Sequence, residues 1–444
     1  MNIKEIPTPA YVIVEKKLRE NLKILKDVEE KSGAKILLAQ KAYSAYQTYP
    51  IVAEYLTGAT ASGLYEARLA HEEFKFREKE CENHVYEPAF KDDEMEELCN
   101  ICDHIVFNSL AQLEKHRSVW EKAVQEKRLS VGLRINPEYS SEDTVEIYDP
   151  CSSGSRLGIR NALMPETLPE GVEGLHFHNL CEQGFEPLEE TFLKVERDFF
   201  RFFPQPRIAE DYDGYVYKAL GYDEEEFDDT SESIDDLEAL DGGKSFQDIP
   251  SGVDEEYTST QEGNRIKWIN LGGGHHITRE DYDREGLIRL VSYIRDKYGI
   301  DVYLEPGEAI ALEAGYLVTT VMDVVDTDRM PVLILDTSAA CHMPDVLEMP
   351  YRPPLMSSEH PGEMNYTYRL SSRTCLAGDI IGDYSFEEEK KVGDRLYFED
   401  MAIYSFVKNN TFNGMPLPDL ALLKEDGQVE VLRHFGYEDF KTRL

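Results

Sequence analysis

The chain has 444 residues, 41% of them hydrophobic, and a formal net charge of −40 at pH 7. That length and apolar content suffice for two or three packed domains; so negative a chain argues against nucleic acid or anionic membrane as partners, and either attracts small cations or serves solubility alone. No apolar run reaches the roughly eighteen residues of a membrane span, the first residues lack a signal-peptide core, and seven cysteines in an odd, scattered set read as reduced thiols, so a cytoplasmic protein is expected.

In chain order, "AYVIV" within residues 1–14 is a first strand that precedes any helix, and it is expected to join a β domain formed later in the chain. From 15 to 310, short apolar runs end in polar or glycine-rich residues: "AKILLAQKAYS", "HVYEP", "HIVFNS", "VGLRINP", "GLHFHNL", "KWINLGGG" and "VYLEPGEA". Amphipathic stretches such as "LAQLEKHRSVWEKAVQEK" lie between them. Strands alternating with helices over this length predict an α/β fold, a (β/α)8 TIM-like barrel of parallel strands. The CxxC in "LCNIC" (Cys99, Cys102) sits in a helical pattern, where packing is the default reading and zinc or redox use the alternative.

Residues 204–264 interrupt the barrel pattern with a dense acidic block, in which Lys218 and Lys244 are the only lysines. Such block charge marks a solvated or disordered insertion, although Tyr212, Tyr215, Tyr217, Tyr222 and Phe227 leave a small folded insert open. After residue 310 the texture changes to β-type runs without long helices, which predicts a mainly antiparallel β domain over 311–444.

In a barrel of this kind, active groups stand at the carboxyl ends of strands. Lys41 holds that position after "ILLAQ", where burial frees an amine able to condense with an aldehyde; a strand-end lysine reaching solvent is the plain alternative. Gly272, Gly273 and Gly274 follow a strand and let backbone N–H groups close on a phosphate, or merely permit a tight turn. His275 and His276 are adjacent and point apart, so no metal site is expected there. Glu305, with Gly307 and Glu308 in "EPGE", is a carboxylate suited to keeping a pyridine nitrogen protonated. His176 and His178 share one strand face, and either one lies against a ring or packs in the core. Cys375 in "SSRTCLAGD" is a candidate proton donor, and Tyr404 is a phosphate or proton partner or simply a strand aromatic. Arg134 and Arg156 are cations at strand or loop ends, open to cofactor contact or to structural pairing.

Together "AQKAYS", "FHN", "GGG", "EPGE", "CLAGD" and "TFNG" resemble the fold-type III, pyridoxal-phosphate-dependent decarboxylases of basic amino acids, the alanine-racemase-like group of barrel plus β-sandwich. Within it, "TPAYVI", "GLHFHNLCEQ", "NLGGGHHIT" and "DTSAACHMPDVLEMPYRP" are most similar to the carboxynorspermidine/carboxyspermidine decarboxylase branch. The resemblance covers nearly the whole chain except the acidic insertion. It implies that Lys41 carries the cofactor, His178 stacks on its ring, Glu305 meets the pyridine nitrogen, and Gly272, Gly273, Gly274 and Gly307 hold the phosphate with help from Tyr404. It further implies a homodimer in which Cys375 and Asp379 enter the neighbouring subunit's site. The expected substrate is a small α-amino acid with a cationic polyamine tail, met by Asp345, Glu348 or Asp379. Other basic substrates (ornithine, lysine, diaminopimelate) and a non-catalytic cofactor-binding homologue are the alternatives; Glu305 speaks against a racemase, since such racemases place arginine there. Two departures stand out: Glu308 occupies a position where the ornithine enzymes carry arginine, and Leu376 follows the cysteine where an acid is usual.

Overall fold

The structure, a computed structural model, describes residues 3–126, 128–141, 149–219 and 264–444. Its first helix, Glu15–Ser32, shows why the local pattern works. Leu18, Leu22, Leu25 and Val28 repeat at helical spacing and are all buried. The helix stops at Gly33, whose left-handed φ of 71° places its N–H on the Glu29 carbonyl. The next residues, "KILLA", then run as a strand.

Eight parallel strands close into a barrel. They are β2 (Lys35–Ala39), β3 (Gly58–Ala61), β4 (Glu82–Glu87), β5 (His104–Phe107), β6 (Ser130–Asn136), β8 (Val172–His176), β9 (Trp268–Asn270) and β10 (Asp301–Leu304), the last pairing back to β2. A two-residue strand, β7 (Ile159–Arg160), adds to the end of β6. The barrel interior has its own apolar cluster of Leu37, Val106, Trp268 and Tyr303. Gly132 and Gly174 make room for Trp268, because a Cβ on either would fall 2.3 or 2.0 Å from the indole.

A second sheet, mixed but mostly antiparallel, follows the path β14 (Ile380–Phe386), β13 (Tyr366–Ser372), β12 (Val332–Leu335), β11 (Gly315–Val325), β1 (Ala10–Val14), β16 (Asp419–Leu423), β17 (Val429–Arg433), with β15 (Arg395–Glu399) also on β11. The long strand β11 ties the two parts of this sheet together, pairing with β1 and β15 before a bulge between Val321 and Asp323 and with β12 along its remainder. Strand β1 lies between β11 and β16, so the first strand of the chain is built into the last sheet.

The start of the acidic insertion is anchored. Helix Tyr212–Ala219 places the rings of Tyr212 and Tyr215 at 5.2 and 5.5 Å from Tyr293 on helix Arg284–Tyr298, and Tyr215 donates to Asp296 at 2.8 Å. Expectations for 220–263 lie outside the described residues. Among the described residues no helix is long and apolar enough to cross a membrane.

Candidate active site

Strand β2 ends at Ala39, and the turn that follows is bolted to its neighbours: Ala39 N donates to Pro306 O at 3.0 Å and Gln40 N to Thr60 O at 3.1 Å. This turn presents Lys41 at the carboxyl end of the barrel, in a cavity of about 510 Å³ lined by Ser62, Tyr86, Arg134, Arg156 and His178 among others. Solvent reaches the Lys41 side chain through that cavity, yet the amine lies deep in the protein. Burial lowers its pKa and the Arg134 charge lowers it further, against the opposing pull of Glu305. Arg134 is itself buried, donating to His178 O at 2.8 Å and lying 4.5 Å over the Tyr86 ring.

His178 stands just past β8 with its Nε2 3.3 Å from Lys41 Nζ. Its Nδ1 accepts the Gly273 N–H at 3.0 Å, so in the neutral ring the proton sits on Nε2 and faces the lysine. Burial first, and then Lys41 and Arg134, hold the ring pKa well below the usual histidine range. The glycines of the β9 loop are required by packing: a Cβ on Gly273 would lie 2.0 Å from Glu305 O, and one on Gly274 would lie 1.9 Å from Leu180 O. Gly272 N is spent on Asn270 Oδ1 at 2.9 Å and Gly273 N on His178. Of the four glycines expected to hold a phosphate, only Gly274 and Gly307 therefore keep N–H groups without an acceptor among the described residues.

Glu305 follows β10. Burial alone would raise its pKa, but His176, with Nε2 3.4 Å from Oε2, and Asn270, donating to Oε1 at 2.8 Å, reverse this and keep it an anion. Burial also lowers the pKa of His176, which conflicts with a fully charged His176 partner for Glu305. The anionic Glu305 is the better-supported half, because the Asn270 donor holds it whatever the state of His176. Among the described residues His176 Nδ1 has no hydrogen-bond partner, and Nε2 has Glu305 at ion-pair distance. Ala39, Thr60, Lys41, His176, His178 and Glu305 frame an inner recess of about 40 Å³. A free amine, an imidazole, a buried anion and an orphaned ring nitrogen around one recess fit a flat aromatic aldehyde with a basic ring nitrogen, and the Gly274 and Gly307 N–H groups fit an anionic substituent on it.

The remaining predicted residues divide. Tyr404 reaches the site, its N–H on Ala42 O at 2.9 Å, and burial with Glu308 nearby raises its pKa. Asp345 is paired with Lys408 at 2.6 Å, whereas Glu348 on the same short helix is exposed and makes no ion pair among the described residues. Asp379 corrects an expectation. It is 1% exposed, accepts from Ser338 at 2.6 Å, Ala340 N at 3.1 Å, Ser372 and Thr374, and so has its oxygens committed within its own chain rather than offered to a substrate. It instead fixes the loop that carries Cys375, which is exposed and lines neither cavity around Lys41 in its own chain. Cys99 and Cys102 are buried, with Cys99 Sγ 3.8 Å from Met95 Sδ and its pKa pushed up to about 11 by burial, as in helix packing. Asn270, which braces Glu305 and Gly272, is a site residue beyond those expected from the sequence, and its place at the end of β9 is the signal that points to it.

The model of the pyridoxal-dependent decarboxylase C-terminal sheet domain matches residues 32–402. The chain is 38% identical to the carboxynorspermidine/carboxyspermidine decarboxylase of Campylobacter jejuni over 100% of both chains. It is 35% identical to the carboxyaminopropylagmatine decarboxylase of Synechocystis over 100% of this chain and 96% of the relative. It resembles the crystal structure of the C. jejuni carboxynorspermidine decarboxylase complexed with norspermidine, with a TM-score of 0.77 and 36% identity over 99% and 100% of the two chains. Diaminopimelate decarboxylase from Helicobacter pylori, at 16% identity and a TM-score of 0.71 over 99% and 97% of the two chains, shares the fold. Matched from end to end by relatives of one kind, and closing its barrel around a lysine suited to the cofactor of that kind, the chain belongs to the pyridoxal-dependent decarboxylases.

Proposed function

We propose that the chain decarboxylates carboxynorspermidine, carboxyspermidine or both, yielding norspermidine or spermidine. The observation that carries this reading is the end-to-end match to the C. jejuni enzyme of that name. A second reading, carboxyaminopropylagmatine as substrate, is supported by the Synechocystis relative at 35% identity. All three substrates join an α-amino acid head to a cationic tail, so the chemistry at Lys41 is common to both readings.

Pyridoxal phosphate, when bound, supplies a ring that takes up the electron pair left as carbon dioxide departs. Lys41 acts as the amine that carries the cofactor, its lowered pKa keeping a lone pair available. Glu305, ionised and braced by Asn270, would hold a proton on the pyridine nitrogen. His178, its Nδ1 held by the Gly273 N–H, would help to hold the ring and can exchange a proton with Lys41 Nζ. Gly274 and Gly307 would hold the phosphate through backbone N–H groups, with help from Tyr404.

The proton returned to the α carbon comes from Cys375 of a second copy, in a homodimer whose loop at 373–378 enters the neighbouring mouth. What supports this is the position of the thiol: presented to solvent on a loop tied down by Asp379, and absent from its own chain's cavity. The test is carbon dioxide release by purified protein loaded with pyridoxal phosphate, offered carboxynorspermidine, carboxyspermidine, carboxyaminopropylagmatine, ornithine, lysine and diaminopimelate. Turnover of the first two supports the main reading, preference for the third supports the second reading, and turnover of only the last three overturns both.

A further inference from the structure

The two N–H groups assigned to the cofactor phosphate stand on different segments. Gly274 follows β9 and Gly307 follows β10, so their spacing is set by whatever joins the two loops. A side-chain contact does so. Thr278, 7% exposed, donates through Oγ1 to Ala309 O at 2.7 Å. Helix Glu308–Ala311 is a single turn, and the N–H of Glu313, which would reach that carbonyl in a longer helix, is given to Asp400 at 2.6 Å. The threonine hydroxyl supplies the bond that the short helix lacks, and so ties the Gly307 turn to the Gly274 loop.

A second, independent contact fastens the same loop from within. His275, next to Gly274, is 2% exposed; its Nδ1 lies 2.7 Å from Tyr282 Oη, with the rings 5.6 Å apart and tilted by 32°. Burial, with His276 adding, lowers its pKa to about 3, so the ring is neutral. The backbone fastens the loop to the one after β8: Gln183 N donates to Gly274 O at 3.1 Å, and His276 N to Gln183 O at 3.0 Å. Arg284 closes the far end by donating to Ile277 O at 3.0 Å and Arg279 O at 2.7 Å. His275 Nε2, buried, has no hydrogen-bond partner among the described residues. An apolar pair would fill this space with no group stranded. What the polar pair adds is direction: a hydrogen bond fixes the loop in one arrangement, where apolar packing tolerates shifts.

We infer that Thr278, His275 and Tyr282 are positioning residues for the cofactor phosphate, setting the spacing and direction of the Gly274 and Gly307 N–H groups without touching the phosphate themselves. This rests on the proposed function, which puts the phosphate at those two groups, and adds the residues that hold them in place. Hydrogen bonds to an anion weaken steeply as the donor moves off line, so small shifts of either loop matter. Lys41, His178 and Glu305, which meet the aldehyde and the ring, lie outside this brace. Its loss therefore weakens the hold on the phosphate alone.

The experiment measures, by absorbance titration of the full chain freed of cofactor, the affinity for pyridoxal phosphate and for pyridoxal, the same aldehyde without the phosphate. Wild type, Thr278→Val, Thr278→Ser and Tyr282→Phe are compared with Tyr384→Phe, a control that deletes another buried tyrosine hydroxyl, the one donating to Pro353 O at 2.7 Å in the second sheet. Thr278→Val and Tyr282→Phe are expected to lose about tenfold of the preference for pyridoxal phosphate while keeping wild-type affinity for pyridoxal. Thr278→Ser, which retains the hydroxyl, keeps the preference, and Tyr384→Phe loses thermal stability but not preference. An unchanged ratio in Thr278→Val and Tyr282→Phe, or an equal fall in affinity for both aldehydes, overturns the positioning role. If Tyr282→Phe fails to fold, the contrast between valine and serine at position 278 decides. A wild type that binds both aldehydes equally is a separate result: it overturns the placement of the phosphate in the proposed function, and the brace with it.

Discussion

Strand β2 has a lysine at each end, and the two ends of the barrel treat them in opposite ways. At the amino end, Lys35 meets Glu82 at 3.0 Å, Asp301 at 3.1 Å and Tyr303 Oη at 3.0 Å. Burial alone would lower its pKa, but the Tyr303 hydroxyl and Glu82 raise it, so the amine stays charged. At the carboxyl end, Lys41 keeps a lowered pKa and faces a cavity. Both ends also carry a glutamate and two histidines: Glu82, His84 and His104 below, Glu305, His176 and His178 above. The floor is closed by aromatic packing, with His84 and His104 stacked at 4.0 Å and 17° and Trp268 and Tyr303 against them. Glu82, His84 and His104 are close enough to suggest a metal. Parallel rings cannot both point a nitrogen lone pair at one ion, however, and Lys35 already supplies the cation. The same residue types thus make a plug where every charge is paired and a site where the lysine is left free.

The sharpest way to break this contrast is to remove each lysine. Lys41→Ala is expected to lower kcat by about 10³-fold or more, because the group that carries the cofactor is gone. Lys35→Met is expected to leave kcat within about twofold and to cost about 1 kcal/mol in urea denaturation, since its partners are only partly buried. Comparable losses of activity in both variants would erase the distinction. Next in size, Glu305→Gln keeps the contact with Asn270 but removes the negative charge; a fall of about 10²-fold in kcat with little change in cofactor affinity is expected.

A smaller effect sharpens the account of the second sheet. Asp379→Ala orphans the Ser338, Ser372 and Thr374 hydroxyls and is expected to cost about 1–3 kcal/mol of stability. If Cys375 acts in a second copy, this variant also slows turnover by loosening its loop, and adding back Cys375→Ala should then cost less than it does in the wild type. The smallest effect concerns pH. Glu87, at the end of β4 but outside both Lys41 cavities, has its pKa pushed from 4.5 to about 7 by burial, with Glu94 adding. A carboxyl raised on folding binds its proton more tightly in the native state, so its contribution favours folding below the unfolded value and is lost as pH rises from 4.5 to about 7. Glu87→Gln should flatten the fall of Tm across that window, and an unchanged slope would count against the shifted carboxyl.

Much of this was legible in the sequence, and for a physical reason. Barrel strands end where the chemistry begins, so Lys41, His178, the glycine run and Glu305 each follow an apolar run and announce themselves by position. What the sequence concealed are contacts between segments far apart in the chain. Glu182, Glu308, Asp345 and Asp400 come from four segments, and no spacing signals that they meet. Asp379 sits in a polar motif that suggests an available carboxylate; the hydroxyls that enclose it come from Ser338, Ser372 and Thr374, two of which shortly precede it in the chain and one of which lies on a different connection. The glycine run suits a phosphate cradle or a tight turn, and two of its N–H groups are used to orient Asn270 and His178. Lys35 at the start of "KILLA" has the pattern of any charged strand entrance, so no spacing marks the floor cluster.

The central claim is that Lys41, and not Lys35 or another lysine, carries the cofactor. The most direct measurement is to load the protein with pyridoxal phosphate, reduce it with borohydride and map by mass spectrometry which lysine bears the pyridoxyl group. The account predicts the label on Lys41 alone, undiminished in Lys35→Met and absent from Lys41→Ala. A label on Lys35, or one spread over surface lysines with Lys41 unmodified, would contradict it.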